Sequence, residues 1–382
     1  VPRHLLDTIP RRELAAHPFT RAPVGSGPLR FVRWVAGQYV ELAADSTFFL
    51  GRPGVPRIIF RVIANPGAGL PLLIAGEADY LNYLGIPENR ARVLETPFLE
   101  AVPYTSNQYA YIGFNFRDPG QLDRPHPLFA DRSLRQALSM AVNREAIVEA
   151  VLGDMAEVSH GPVSRILWTW SDTLRALPFD TARARRLLDE GGWRDTDGDG
   201  VRDHGGRRLE FALLLPASSQ ARMRAAVIAQ EDLKRLGVSM QINDVDFGTF
   251  LARGQARQFD ALFGAWTQDP SPRGIEQQWG SAGIGGFNYG SYSSPAFDGL
   301  VTQAINAGGA EQARALWHRA ITVMNSDAPA IWVFTPVPTA AVHRRLQNVS
   351  IRADQWGATL WTWRVHPDSL IDRDRIRAPL TP

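Results

Sequence analysis

No cysteine occurs in the 382-residue chain. Disulfides, thiolate metal sites and cysteine nucleophiles are therefore excluded, and an oxidising compartment is tolerated. Lysine is nearly missing too: Lys234 stands alone, and the basic set is otherwise arginine. The net charge is only +2, and the arginines are scattered, so no nucleic-acid partner is expected. No apolar run approaches the roughly 20 residues of a membrane span. The histidines (His4, His17, His126, His160, His204, His318, His343, His366) show no HExxH pattern and no short paired spacing, which argues against zinc catalysis. There is no G-x-S-x-G elbow and no Walker loop. The carboxylates offer no pairing that spacing alone establishes, so glycoside hydrolysis is neither supported nor excluded.

What is present is an ordinary globular composition, 45% apolar and 21% charged, long enough for two domains. Eleven tryptophans serve cores and pockets alike. After a turn-rich start, residues 29–35 and 39–43 alternate as a β-hairpin, and 57–63 reads as a further strand. A short helix follows at 69–76, then extended pieces between 101 and 116. From about 118 the pattern changes to helices at 131–142, with Asp131 as N-cap, 144–152 and 181–190. A strand at 209–215, a long helix at 219–236 and a strand at 238–242 form a β-α-β unit, which implies a parallel pair with a right-handed crossover. A short helix at 247–253, a strand at 259–263, helices at 295–306 and 311–326, and a strand at 330–334 complete the regular part.

The chain is organised around the residues after 259. An apolar strand runs into Trp266, Asp269, Pro270 and Pro272, and the prolines force the chain out of the sheet. An indole and a carboxylate thus meet at a strand end, where α/β proteins hold ligands. The alternative is a capped turn, with Asp269 bonding nearby amides and Trp266 filling core.

Several stretches together resemble one family. Residues 24–31 (VGSGPLRF) look like its "GTGPYKF" strand entry, and 73–79 (LIAGEAD) like "L-x-x-GEVD". Gly113-Phe114-Asn115 followed by 134–144 (LRQALSMAVNR) is similar to "F-N … VRQALSYAIDR". Residues 191–200 (GGWRDTDGDG) look like "AGW-x-D-x-DGDG", and 288–295 (NYGSYSSP) like "NYSGYSNPE". Their order and spacing from about 24 to 340 are specific to the periplasmic solute-binding proteins of ABC importers for oligopeptides, dipeptides and nickel. The resemblance implies an α/β, two-lobed fold of the periplasmic-binding-protein type (type II, cluster C). Residues 1–112 would form part of lobe one, 113–333 lobe two, and 334–382 the return to lobe one and a tail, with crossings at 109–116 and 331–336. The family's chains are longer, so lobe one is expected to lack its front part. Its strands 29–35 and 57–63 would then show an apolar face, with self-association following; a complete short chain would be monomeric.

By the same resemblance the protein is no enzyme. It binds peptides or another small solute by lobe closure and presents them to an ABC permease in the membrane. Its place is periplasmic or extracellular, with a lipid anchor through the missing front. The rivals are a nickel chelate, an opine or an oligosaccharide as solute, and an enzyme or a ligand sensor on an α/β scaffold. Trp266 and Asp269 match a "W-x-x-D" turn in which the acid pairs with a peptide's α-amino group, a charge-assisted contact little screened in a closed cleft. Trp279, Asn288 and Tyr289, on a glycine-rich loop, and Tyr109 and Tyr111, near the first crossing, are the other candidate ligand-binding residues. Core packing is the alternative for the tyrosines, a surface loop for the rest. No cofactor is expected other than a structural Ca²⁺. For that ion, Asp195, Asp197, Asp199 and Asp203 occupy positions one, three, five and nine of a calcium loop, although Gly206 stands where a bidentate glutamate belongs. The alternative there is a solvated acidic turn.

Overall fold

The structure is a computed structural model and describes residues 2–63 and 66–371. The chain divides into two compact units. The first takes in the described residues up to Asn82, Arg92–Val102 and those from Ala340 onward. The second comprises Tyr83–Ala91 and Pro103–Thr339.

In the first unit a single turn of helix, α1 (Arg3–Leu6), precedes an antiparallel sheet of β1 (Leu29–Val35), β2 (Tyr39–Ala44) and β3 (Arg57–Arg61). Glu41 in the middle strand is buried between the guanidinium groups of Arg33 and Arg57, each 2.7 Å away. Val32 and Trp34 of β1 and Ile59 of β3 are exposed. Helix α2 (Gly69–Ile74) buries Leu70 and Leu73. Next come β4 (Tyr80–Leu81), α3 (Pro87–Leu94), which the sequence pattern did not reveal and which straddles the division, and β5 (Leu99–Pro103).

The second unit is built on a six-stranded sheet. It contains β6 (Gln108–Phe114), the hairpin β7 (Arg117–Asp118) and β8 (Gln121–Pro125), α4 (Arg132–Ala141), α5 (Arg144–Val151), β9 (Ala156–Val158) and α6 (Thr181–Glu190). A second small hairpin, β10 (Asp203–His204) and β11 (Arg207–Arg208), precedes β12 (Glu210–Pro216), α7 (Gln220–Lys234), β13 (Ser239–Val245), α8 (Phe247–Gln255) and β14 (Ala261–Thr267). Three helices, α9 (Arg273–Trp279), α10 (Pro295–Ile305) and α11 (Ala310–Asp327), lead to β15 (Ala330–Pro336). The chain then returns through β16 (Thr339–His343), which lies between β4 and β5, and a last pair, β17 (Leu346–Gln347) and β18 (Arg364–Val365).

The helix starts follow local chemistry. The Asp131 carboxylate accepts the amides of Ser133 and Leu134, Asp180 that of Arg183, Ser219 that of Arg222 and Asp246 that of Thr249; each satisfies a donor that the first helical turn leaves open.

The sheet order is β13-β12-β14-β6-β15-β9. β12 pairs parallel with β13 and, over two residues only, with β14; β6 runs antiparallel to both β14 and β15. The carboxyl ends of β12, β13, β14 and β15 therefore open on one end of the sheet. Apolar layers cover both faces. On one face α4–α7 pack on Ala110, Ile112, Phe114, Leu213, Phe263 and Val333. On the other, α8–α11 pack on Tyr109, Tyr111, Leu214, Leu262 and Trp332.

Two expectations need correction. The division does not fall at 112/113 and 333/334: residues 83–91, 103–112 and 334–339 belong to the second unit, the last two stretches because β6 and β15 are hydrogen-bonded in its sheet. The strand expected at 259–263 runs from Ala261 to Thr267, since each residue through Thr267, opposite Gln108, pairs with β6.

Candidate functional site

Open α/β sheets hold ligands at the carboxyl ends of their strands, where adjacent strands send their connections to opposite sides. Here that point lies between β12 and β14. The connection from β12 runs through α7 to β13 on one side, and the connection from β14 runs through α9–α11 to β15 on the other. The residues at this end form the candidate site.

β14 delivers Trp266 and then the turn to α9. The Trp266 indole is half-buried, 5.4 Å from the Tyr289 ring and 5.8 Å from that of Phe287, the latter edge-on. Gly264 makes room for the layer beneath: a Cβ there would stand 2.9 Å from the Tyr111 ring. The turn is fixed by Gln268, a residue the sequence reading passed over. Its buried side chain accepts the Ser164 amide at 2.8 Å and donates to the Pro162 carbonyl at 2.7 Å, and its backbone N–H donates to the Asn107 carbonyl. Asp269, next in the chain, is exposed and has no hydrogen bond or ion pair among the described residues. It does not cap the turn. Ser271 Oγ accepts the Arg273 amide instead.

Four expected ligand residues lie elsewhere. Tyr109 has no exposed surface; its hydroxyl donates to Gln278 Oε1 at 2.7 Å and accepts from Trp279 Nε1 at 2.9 Å. Tyr111 and Trp279 are buried beside it, with Trp332 closing the cluster. Burial raises both phenol pKa values above the usual tyrosine range. The reason is the doubly covered sheet: on a central strand buried on both faces, alternate residues are all core. Asn288 is buried as well. Its side chain bonds the Gly280 and Tyr292 carbonyls and the Tyr292 amide, which makes it the internal brace of its loop. Trp279 sits on α9 rather than on the glycine-rich loop. The cavity among Tyr111, Trp279 and Tyr289 measures about 10 Å³, the room of one water at most.

A larger hollow, about 330 Å³, opens at the same end of the sheet. Tyr104, Ser106, Glu157, Arg165 and Thr335 line it. Arg165 holds Glu157 in a two-pronged pair at 2.6 and 2.8 Å and lies over the Trp170 ring. Burial, aided by the neighbouring Tyr83, pushes the Tyr104 phenol up to about 12.

Of the four acids proposed for calcium, Asp195, Asp197 and Asp199 bring carboxylate oxygens within 4.8 Å of one another, all exposed. Asp203 does not join them; Thr196 occupies its carboxylate through amide and hydroxyl. The loop's own amides already fill much of the cluster: Gly198 and Gly200 donate to Asp195, and Val201 donates to Asp199, which also pairs with Arg208.

The profile of the bacterial extracellular solute-binding proteins, family 5 (middle region), matches residues 5–286. The chain is 29% identical over 353 residues to the oligopeptide-binding protein AppA of Bacillus subtilis, covering 91% of this chain and 63% of that one. It is 24% identical to heme-binding protein A of Haemophilus influenzae, covering 85% and 57%. It thus spans less than two thirds of the length of these curated relatives. Among solved structures, AppA of Bacillus subtilis in complex with a nonapeptide superposes with a TM-score of 0.84 at 27% identity, over 96% of this chain and 71% of that one. NikZ of Campylobacter jejuni in complex with Ni(L-His) shares the fold, with a TM-score of 0.84 at 24% identity over 95% and 72%.

Proposed function

Because the chain belongs to the bacterial extracellular solute-binding proteins of family 5, we propose that it is the extracytoplasmic binding component of an ABC importer and that its solute is a peptide. It binds and releases; no bond is made or broken. A membrane permease receives the loaded protein. The observation that carries the reading is Asp269, an exposed carboxylate without a partner among the described residues, next in the chain to the anchored Gln268 and three residues after Trp266, which meets the Tyr289 and Phe287 rings. Such a carboxylate suits the ammonium of a free peptide N-terminus. The hollow at Tyr104, Glu157 and Arg165 offers room for a side chain at the same end of the sheet. The similarity to AppA, whose structure holds a nonapeptide, favours a peptide of several residues over a dipeptide.

The test is to denature freshly purified protein and identify what it releases by mass spectrometry. Peptides of several residues are expected. Release of a nickel–amino-acid chelate, an opine or a sugar would replace the reading with that solute.

A further inference from the structure

Between β9 and α6 the chain runs through residues 159–180 without helix or strand, inside the second unit. Side chains from elsewhere hold this segment by its backbone. Gln268, in the turn after β14, accepts the Ser164 amide and donates to the Pro162 carbonyl. Asn325 of α11 donates to the carbonyls of His160 and Arg175, each at 2.9 Å. His318 of the same helix meets the Thr169 carbonyl at 2.9 Å. Arg144, the first residue of α5, donates from Nη2 to the Leu177 carbonyl at 2.6 Å.

Polar atoms without partners gather against this tied backbone. Arg144 is 2% exposed, and its Nε and Nη1 are buried with no hydrogen-bond partner among the described residues. His160 Nδ1 is buried in the same condition. The hydrogen bonds bring the two side chains to one place. Asn325 ties His160 to Arg175, and Arg144 holds Leu177, two residues beyond Arg175. Their charges interact accordingly: burial first, then Arg144 and Arg175, lower the His160 pKa, while Glu145 and Glu157 offset part of this.

The buried Arg135 of the same unit shows how a structural arginine uses its donors. It bonds the carbonyls of Phe129, Ala130, Asp327 and Ala328. Arg144 makes one such bond, and no carboxylate pairs with it among the described residues. Glu145, beside it in the chain, is exposed, and Glu157 is taken by Arg165 in a two-pronged pair. Water could satisfy the open donors but would leave the charge uncompensated, and a buried charge without a counter-ion is costly. An imidazole with its proton on Nδ1 adds a donor without adding charge. One guanidinium and one neutral donor call for a single negative charge.

We propose that Arg144 and His160 hold one small monovalent anion, a halide or a small carboxylate, between the start of α5 and the 159–180 segment. The bound anion stabilises the segment against which Gln268 is seated. The assignment does not depend on which solute the protein carries.

The experiment melts dialysed wild-type protein, Arg144→Gln and His160→Phe in sodium chloride, sodium formate and sodium gluconate at matched ionic strength; gluconate is too large for so closed a site. Chloride or formate is expected to raise the wild-type Tm by about 3 °C over gluconate, saturating with concentration as for a ligand bound only by the folded state. Both variants should lose that increment. A merely structural role would lower their Tm equally in all three salts and leave the increment in place. The salt with the larger effect names the anion's class. Wild-type crystals grown in bromide or in formate then locate it, by an anomalous peak or by planar density within hydrogen-bond reach of the Arg144 guanidinium and His160 Nδ1. Equal wild-type Tm in the three salts overturns the proposal, as does an increment that survives in both variants. Crystals that show only water there in both salts overturn it too. That last arm uses wild type alone, so it decides the question even if a variant fails to fold.

Discussion

The two ends of the six-stranded sheet are built from the same kinds of residue and treat them oppositely. At the end where β6 finishes and β14 and β15 begin, three polar side chains are spent on the fold, although Arg257 Nε is buried there without a hydrogen-bond partner. Asn115 donates to the Arg257 and Phe259 carbonyls and accepts the Arg117 amide. Asp260 meets His126 at 3.2 Å and accepts the Ala212 amide at 3.0 Å. Arg135 distributes itself over four backbone carbonyls while packing on the Phe116 ring. At the other end, Asp269 has no partner among the described residues. Buried polar groups that only support a fold are normally satisfied. The difference teaches where to look for a solute, because groups left short of partners are those that a ligand can complete.

The comparison makes opposite demands on substitutions at the two ends, and the closed end carries the largest effect. Arg135→Met strands several buried carbonyls, at about 1–3 kcal/mol each, so stability should fall by roughly 4 kcal/mol or more. Solute affinity of the folded fraction should not change, as thermal melts and calorimetric titration would reveal. Tyr109→Phe comes next. It removes the hydroxyl between Gln278 and Trp279 and should cost about 2 kcal/mol of stability with affinity intact; weakened binding without destabilisation would return Tyr109 to the ligand surface. The smallest effect belongs to Asp260. Burial raises its pKa, but the hydrogen bonds from His126 and the Ala212 amide outweigh that, and the net shift is below the ordinary aspartate value of 3.8. A carboxyl with a lowered folded pKa contributes stability that is present above its unfolded pKa and is lost as pH falls through the folded one. Asp260→Asn should therefore flatten the fall in Tm on acidification below about pH 4. An unchanged acid limb would show that this pair does not stabilise the closed end.

Much of this unit was legible in the sequence because its signals are local. The cap at Asp131 and the β-α-β order of β12, α7 and β13 are written within short windows, and Thr181–Glu190 forms a helix over the residues whose periodicity predicts one. What failed depends on distant partners. β14 extends to Thr267 because β6, far away in sequence, pairs with it there. α9 hides behind three helix-breaking neighbours, Pro270, Ser271 and Pro272, although a proline just before a helix is a usual start. Tyr109 and Tyr111 alternate as a half-exposed strand would, and only the second helical layer reveals them as core. Gln268 carries no local signal at all. Its role comes from Pro162 and Ser164, which only the fold brings near. Trp266 and Asp269 were singled out by the prolines that end their strand, and the resemblance added the W-x-x-D spacing and a role for the acid.

The central claim is that the open end binds solute through charge that the fold itself does not need. Calorimetric titration of wild type and Asp269→Asn tests it most directly, with one released peptide in its free and N-acetylated forms. Removing one partner of a desolvated charge pair costs about 2–5 kcal/mol. The free peptide should therefore bind the variant at least tenfold more weakly, the acetylated peptide should bind both proteins alike, and Tm should stay the same. Equal affinity of both proteins for the free peptide would contradict the account, as would a lowered Tm with unchanged affinity.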